Sequence, residues 1–385
     1  MKADVLVIGA GISGLSIAYT LAKRGVENII VVDASYVGSG STGRCATGIR
    51  ASFTSEEHVV LMRNSIELWR KLSQDEELGK YGLLYDQGGY VWIASREESV
   101  NLFRKFVNLH NSLGVPSRLV SPDELKELVP PIRAVGARAA LHDPTAGKSY
   151  VFNTLHAYLI ACKELGVNIL PFTPVRKLIA SGGRVRAAVT ENGTIEAEVF
   201  VLAAGSGSRD LMKSLGVELP LSNLPRHIMI TEAFKPAFTP LVIDWDAGGA
   251  PYIVQTREGN FVMGREIKEE PEQPLNSVRV DYIPKAIAPI ARWFPWIKRV
   301  RVLRYWVGYY VTSPDHHPIY GPVEEYENIY LACGYSGHGY MLAPVTGKII
   351  AEWILDGRPS IPQAERLTLR RIREGKLIEE LAIVG

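Results

Sequence analysis

The sequence predicts an α/β chain of two domains. One is built on a mostly parallel sheet flanked by helices, and the other on an antiparallel sheet inserted into it. Three observations carry this. Residues 1–33 read strand, glycine turn, helix, strand, acid. A second strand, glycine turn and helix follow at 329–355. Between 226 and 264, four short strand-like runs (226–232, 241–245, 251–256, 260–264) succeed one another with no helical segment among them.

The first unit is the most informative. Val5 to Ile8 is a continuous apolar run, as expected of a parallel strand buried on both faces. Gly9-Ala10-Gly11-Ile12-Ser13-Gly14 follows, then a helical apolar period up to Gly25, then Ile29 to Val32 and Asp33. Gly9 permits the tight turn, Gly11 lets a pyrophosphate approach the backbone, and Gly14 lets helix and strand pack closely. The helix N-terminus offers free N–H groups to phosphate, and Asp33 is placed to accept hydrogen bonds from a ribose diol.

The loop from Val37 to Arg50 is rich in Gly, Ser and Thr, has no hydrophobic period and suits wrapping a ligand. Helices are expected over 56–73, 99–113, from Ser121-Pro122, and over 152–165 and 282–293. Tyr85 to Ala94 alternates like a strand, with Gly88-Gly89 marking a bulge or bend. Residues 185–189 and 194–198 form a hairpin about Asn192-Gly193, and Phe200 to Ser208 is another apolar strand running into small residues. Val300 to Val311 and Ile329 to Cys333 are further strands, the last feeding a helix from about 343 to Leu355. Leu367 to Leu381 has a helical, partly apolar pattern.

Composition narrows the function. With 385 residues the chain is too long for one ordinary core. A net charge of +2 implies no general attraction to nucleic acid. Cys45, Cys162 and Cys333 show no pairing or metal-ligand spacing, so no metal site and a reducing compartment are expected. No leader and no membrane span are read, which points to a cytoplasmic protein, peripheral to a membrane only through a redox partner. Five glutamines in the chain fit a heat-adapted, thermophile source.

VIGAGISG at 7–14, GSGSTGRCATGIR at 38–50, HDPTAG at 142–147, VLAAGSGS at 201–208, WVGYYVTSPDHHPIYG at 306–321 and IYLACGYSGHGYMLAPVTGKIIAEWILDG at 329–357 together span nearly the whole chain. On these motifs it resembles the D-amino-acid oxidase superfamily of flavoproteins. It is most similar to the branch holding sarcosine oxidase and its β-subunit, glycine oxidase and dye-linked L-proline dehydrogenases of the β-subunit type. The resemblance implies FAD and a fold like p-hydroxybenzoate hydroxylase. The expected Rossmann-like FAD-binding domain comprises 1–80, 143–215 and 318–366, the substrate-binding domain 81–142 and 216–317, and a C-terminal helix 367–385.

The resemblance also implies roles. Gly9, Ala10, Gly11, Ile12, Ser13 and Gly14 would surround the pyrophosphate, Asp33 and Ala34 the adenosine ribose, and Val175 the adenine by its backbone. Ala204 and Gly205 would line the cofactor. Ser41, Thr42, Arg44, Cys45, Thr47 and Gly48 would flank the isoalloxazine, with Gly337, His338, Gly339, Tyr340 and Met341 opposite. Gly308 stands where relatives with covalent flavin carry Cys, so FAD is expected to be non-covalent. Val262 stands where the oxidases place a Lys, which favours a dehydrogenase. Arg50 matches the carboxylate-binding Arg of the family, a role its bidentate geometry suits. Tyr252 would reach the same carboxylate, and Trp306 and Tyr310 would form aromatic walls. Met341 replaces a second cationic anchor, which suits a ring substrate.

The expected activity is therefore oxidation of a secondary amino acid, L-proline foremost, to 1-pyrroline-5-carboxylate. Hydride would pass to flavin N5 and electrons on to a dye or redox partner. The expected assembly is a homo-oligomer or a hetero-oligomer with an α-subunit. Rival readings are a sarcosine, glycine or D-amino-acid oxidase producing hydrogen peroxide, a non-catalytic FAD-carrying subunit of an electron-transfer complex, and an NAD-dependent dehydrogenase.

Overall fold

A computed structural model of the chain describes residues 1–267, 272 and 279–383. Its first sheet runs, in order, Ile319–Val323, Tyr326–Cys333, Gly193–Leu202, Lys2–Ile8, Ile29–Val32 and Asn168–Leu170. The strands from Tyr326–Cys333 to Asn168–Leu170 are parallel, and Ile319–Val323 closes the edge antiparallel. Their apolar runs are buried on both faces because helices cover one side, and the strands Val175–Ser181 and Arg184–Thr190 with helix Ser208–Lys213 cover the other. Helix Ile12–Lys23 lies on one face with Gly339–Leu355 and Val151–Glu164 beside it, sharing one continuous core. Leu15, Ile17, Leu21, Leu342, Val345 and Ile349 are all at 0% exposure. Each such side chain contributes about 1.5–3 kcal/mol over an exposed one.

Gly14 sets how closely the first helix sits. A Cβ there would fall 1.9 Å from the carbonyl oxygen of Gly9, where backbone cannot yield. The first helix and first two strands thus form as the sequence predicts.

The second sheet is ordered Val302–Thr312, Ser222–Ala233, Asn260–Gly264, Tyr252–Gln255, Leu241–Asp244, Tyr90–Ala94, Ala139–Asp143 and Arg118–Val120. It is antiparallel except for one pair, Leu241–Asp244 with Tyr90–Ala94, which runs parallel. Helix Tyr282–Trp293 packs its buried Tyr282, Ala286 and Ile290 on one face of this sheet. Ser121 caps the helix Pro122–Leu128 in a reciprocal capping box with Glu124.

Four expectations are corrected. The strand expected from Tyr85 begins at Tyr90, because Gly89 turns with φ +84° and Asp86 instead bridges to Lys148. The two strands expected at 194–198 and 200–208 are one, Gly193–Leu202; it pairs antiparallel with Arg184–Thr190, then parallel with Lys2–Ile8. The helix expected from 343 begins at Gly339. The C-terminal helix expected over 367–385 is confined to Leu369–Arg373, and 376–383 run as an irregular tail; residues 384–385 lie outside the described residues. The tail is tied down at its root by a buried ion pair between Arg371 and Asp315, Nε to Oδ2 at 2.8 Å. The Ile378 N–H adds a bond to the same carboxylate at 3.3 Å.

Candidate active site

One large cavity of about 560 Å³ runs from the glycine turn at the end of Lys2–Ile8 to the face of the second sheet. At the first end the strand termini bring Gly9, Gly11, Ile12, Ser13, Asp33, Ala34, Val175, Ala204 and Gly205 to its wall. Backbone approaches the space closely here. A Cβ on Gly9, whose φ is +114°, would strike the Ala203 carbonyl at 2.2 Å. The helix starting at Ile12 has no cap from Gly11 and no acid in its first turn; the Thr42 hydroxyl accepts from the Ile12 N–H at 3.2 Å, and no charge of the helix's own offsets its positive end. Asp33 accepts from the N–H groups of Ala10 at 2.8 Å and Ser35 at 2.9 Å. Burial pushes its pKa up while these bonds oppose the shift. Oδ1 also accepts a long bond from the Ser39 hydroxyl at 3.5 Å, while Oδ2 keeps a further lone pair for a hydroxyl donor. A bare glycine backbone, a helix N-terminus with no acid in its first turn and a buried acid at the strand tip fit an adenine dinucleotide.

The middle of the cavity is walled by the loop carrying Ser41, Thr42, Arg44, Cys45, Thr47 and Gly48. The Ser41 hydroxyl donates to the Tyr309 carbonyl at 2.7 Å, and the Trp306 indole N–H to the Arg44 carbonyl at 2.9 Å. Gly308 lines the cavity where a Cβ would come 3.0 Å from the Arg44 Cβ. Opposite stands the turn Gly337-His338-Gly339-Tyr340-Met341. Gly337 has φ +95°, and a Cβ on it would lie 2.3 Å from the Tyr310 ring. Helix Gly339–Leu355 also starts with no side-chain cap and no acid in its first turn. A second positive helix end therefore meets the cavity, suited to charge developing on an electron-accepting ring. The His338 ring points into packing, edge-on to Phe53 at 4.8 Å, with neither nitrogen hydrogen-bonded. Burial holds it well below its ordinary pKa, so it is neutral.

At the far end Arg50, Tyr90, Arg226, Tyr252 and Tyr310 converge on the second sheet. Arg50 is 1% exposed, with its guanidinium 3.7 Å from the Phe53 ring centroid and 4.9 Å from that of Trp92. Nη1 donates to the Ser52 carbonyl at 2.6 Å and Nη2 to the Ala382 carbonyl. Among the described residues no carboxylate lies within 4.0 Å of its nitrogens. Burial lowers its pKa to about 10, still charged at neutral pH. Burial also raises Tyr252 and Tyr310, keeping both phenols protonated as donors.

Three expected site residues do not line the cavity. Ala10 acts behind it by donating its N–H to Asp33. Gly14 serves packing alone. Trp306 is not an aromatic wall; it clamps the Arg44 loop from outside. Val262 does not line the cavity either; it packs in the apolar cluster with Tyr252, Ile228 and Leu241, which do. His227 is a core histidine, its Nδ1 bonded to the Tyr305 hydroxyl. Sequence reading missed Tyr90 and Arg226. Arg226 is buried, donating Nη2 to Glu266 at 2.6 Å; a charged residue beside the apolar run Ile228 to Ile230 was its signal. His58, His317 and Glu380 gather behind Arg50 with ligand atoms within 4.8 Å of one another. The Glu380 oxygens already accept from Thr54, Ser55 and Ala382, and His317 bonds Ser55 and the Asp315 carbonyl.

Comparison with known proteins agrees with this fold. Residues 4–353 match the family model described as DAO, FAD dependent oxidoreductase. The crystal structure of L-proline dehydrogenase from P. horikoshii is similar with a TM-score of 0.93 and 33% identity, covering 98% of this chain and 99% of that one. Sarcosine oxidase subunit beta of Rhodobacter capsulatus is 27% identical over 99% of this chain and 91% of its own length. Glycine oxidase from Geobacillus kaustophilus shares the fold with a TM-score of 0.87 at 22% identity, covering 96% of this chain and 99% of its own.

Proposed function

Because the chain belongs to the DAO family of FAD-dependent oxidoreductases and is a flavoprotein acting on amino acids, we propose that it is a dehydrogenase of a secondary amino acid, L-proline foremost, yielding 1-pyrroline-5-carboxylate. The carrying observation is Arg50. A buried, charged fork on the cavity wall, held by two neutral carbonyls and no acid, is built to receive a carboxylate. The P. horikoshii enzyme of this fold is named for L-proline.

In this reading the first sheet and its glycine turn hold the non-covalent cofactor, and the second sheet holds the substrate. FAD, when bound, would supply the acceptor for the hydride, with its two electrons, leaving the substrate carbon, while the amine proton leaves to water as the imine forms. Arg50 fixes the carboxylate and Tyr252 donates to it. Met341, Leu241 and Ile228, all at the wall, give the ring an apolar seat and exclude water. The uncapped helix end at Gly339 stabilises negative charge gained opposite it. Among the described residues no lysine lines the cavity, which favours delivery of electrons to a carrier over reaction with oxygen. The test is turnover in air: L-proline should reduce an added dye with 1-pyrroline-5-carboxylate formed and no hydrogen peroxide. Stoichiometric peroxide without dye would make the chain an oxidase.

The name of the Rhodobacter relative supports a second reading, that the chain works beside a partner subunit. Turnover that appears only on adding a second chain would establish it.

A further inference from the structure

Beyond residue 353, where the family match ends, the chain returns to Arg50, behind the cavity wall, in a way the chemistry above leaves unexplained. The tail is irregular, yet Glu380 is 3% and Ala382 2% exposed. The Glu380 carboxylate accepts from the Thr54 N–H at 3.0 Å, the Thr54 hydroxyl at 2.7 Å, the Ser55 N–H at 3.1 Å and the Ser55 hydroxyl at 2.8 Å. The Leu381 N–H returns a bond to the Thr54 hydroxyl at 2.8 Å. This hook grips the segment directly after Arg50, and two residues on, the Ala382 carbonyl receives Nη2 of Arg50 itself. We propose that residues 376–383 are a positioning strap for Arg50: Glu380 anchors the 52–55 segment, and the Ala382 carbonyl fixes one edge of the guanidinium so that its remaining N–H groups face a ligand carboxylate. This rests on the reading of Arg50 as the carboxylate anchor.

The physical case has three parts. A buried guanidinium has five N–H donors to satisfy. An acid partner would occupy the fork and compete with the ligand; neutral carbonyls orient it and leave its charge uncancelled. Ser52 and Ala382 engage one N–H on each terminal nitrogen, so each keeps another for the cavity. Second, Glu380 lies near enough for its charge to favour the charged form of Arg50 against burial, yet outside ion-pair contact. Third, arginine is a long side chain with many rotamers. Fixing it before the ligand arrives removes an ordering cost from binding. Glu380 is thus a positioning residue.

The test uses the FAD-loaded full chain, a truncation ending at Gly375, Glu380→Gln and Arg50→Ala. The probes are tetrahydrofuran-2-carboxylate, which is proline with oxygen in place of nitrogen, and its carboxamide, which keeps the ring without the charge. Both are titrated by the change in the flavin visible spectrum, and the readout is the preference for carboxylate over carboxamide. A strap role predicts that both strap variants lose at least about tenfold of this preference, and Arg50→Ala about a hundredfold, with carboxamide affinity little changed. General damage would weaken both probes alike and would refute a positioning role. If the truncation does not fold, Glu380→Gln decides by the same ratio. A preference within about twofold of wild type in the strap variants, while Arg50→Ala abolishes it, overturns the strap and leaves the Arg50 reading standing. An unchanged preference in Arg50→Ala, or no carboxylate binding by the wild type, overturns the Arg50 reading and the strap with it.

Discussion

Gly14→Ala should uncouple the first helix from the cofactor. The added Cβ would lie 1.9 Å from the Gly9 carbonyl oxygen and 3.4 Å from Val7. Restoring ordinary contact near 3.4 Å means a retreat of about 1.5 Å by a helix whose residues Leu15, Ile17 and Leu21 are fully buried. Overpacking against backbone of this kind costs about 3 kcal/mol, at the upper end of the usual range. With an unfolding entropy of roughly 2.1 cal/mol/K per residue, that is a melting temperature lower by about 4 °C. The helix N-terminus moves with the helix, so FAD affinity should fall by at least about tenfold. The assay is a thermal melt of the apoprotein with an FAD titration followed by flavin fluorescence. Gly248→Ala, which lies off the cavity and would meet only the Arg265 side chain at an ordinary 3.6 Å, is the control and should change neither. Wild-type FAD affinity and melting in Gly14→Ala would refute the close-packing argument.

Three further outcomes are expected. Gly337→Ala would drive a Cβ into the Tyr310 ring at a φ of +95°, so the variant should keep FAD but lose most turnover and shift its flavin spectrum; an unchanged spectrum and rate would count against the turn bordering the flavin. Arg371→Leu strands Asp315 as a buried, unpaired charge and should cost about 3–5 kcal/mol in a denaturant titration, whereas loss under about 1 kcal/mol would mean the pair is not buried in solution. His317, driven down by burial to about 3 from 6.5, is neutral in the fold and protonated when unfolded between those values. The unfolded chain therefore binds more protons in that window, and stability should fall on acidification from pH 6.5 toward 3, by about 1.4 kcal/mol per pH unit for this group. A melting temperature flat across the window would contradict it.

What could be read in the sequence was what local chemistry fixes. The apolar run at Val5–Ile8, the spacing of Gly9, Gly11 and Gly14, and Asp33 at a strand tip each constrain their own neighbourhood, so strand, turn and helix follow from them. The capping box at Ser121 is legible for the same reason. Partner changes were not. Gly193–Leu202 is a single strand because one part pairs with its hairpin neighbour and another with the N-terminus, and no local pattern records that. Within the site, glycine-rich segments announced themselves, and most of the expected lining residues do reach the cavity. Trp306 misled because a large aromatic on a strand near a site can face either side, and register decides which. Arg226 with Glu266, and Arg50 with the tail, depend on contacts between residues 40 and 332 positions apart, which no spacing rule reaches. The tail looked helical because Leu369, Ile372 and Leu377 carry a helical period; packing of Glu380 under the 52–55 segment overrides it after Gly375.

The central claim is settled most directly by anaerobic reduction. The purified, FAD-loaded chain is mixed without oxygen with L-proline, D-proline, sarcosine and glycine in turn, and the visible absorption of oxidised flavin is followed. The account predicts rapid bleaching by L-proline, little by the others, and slow recovery on admitting air. Bleaching by sarcosine, glycine or a D-amino acid in preference to L-proline, or bleaching by none of them, would contradict it.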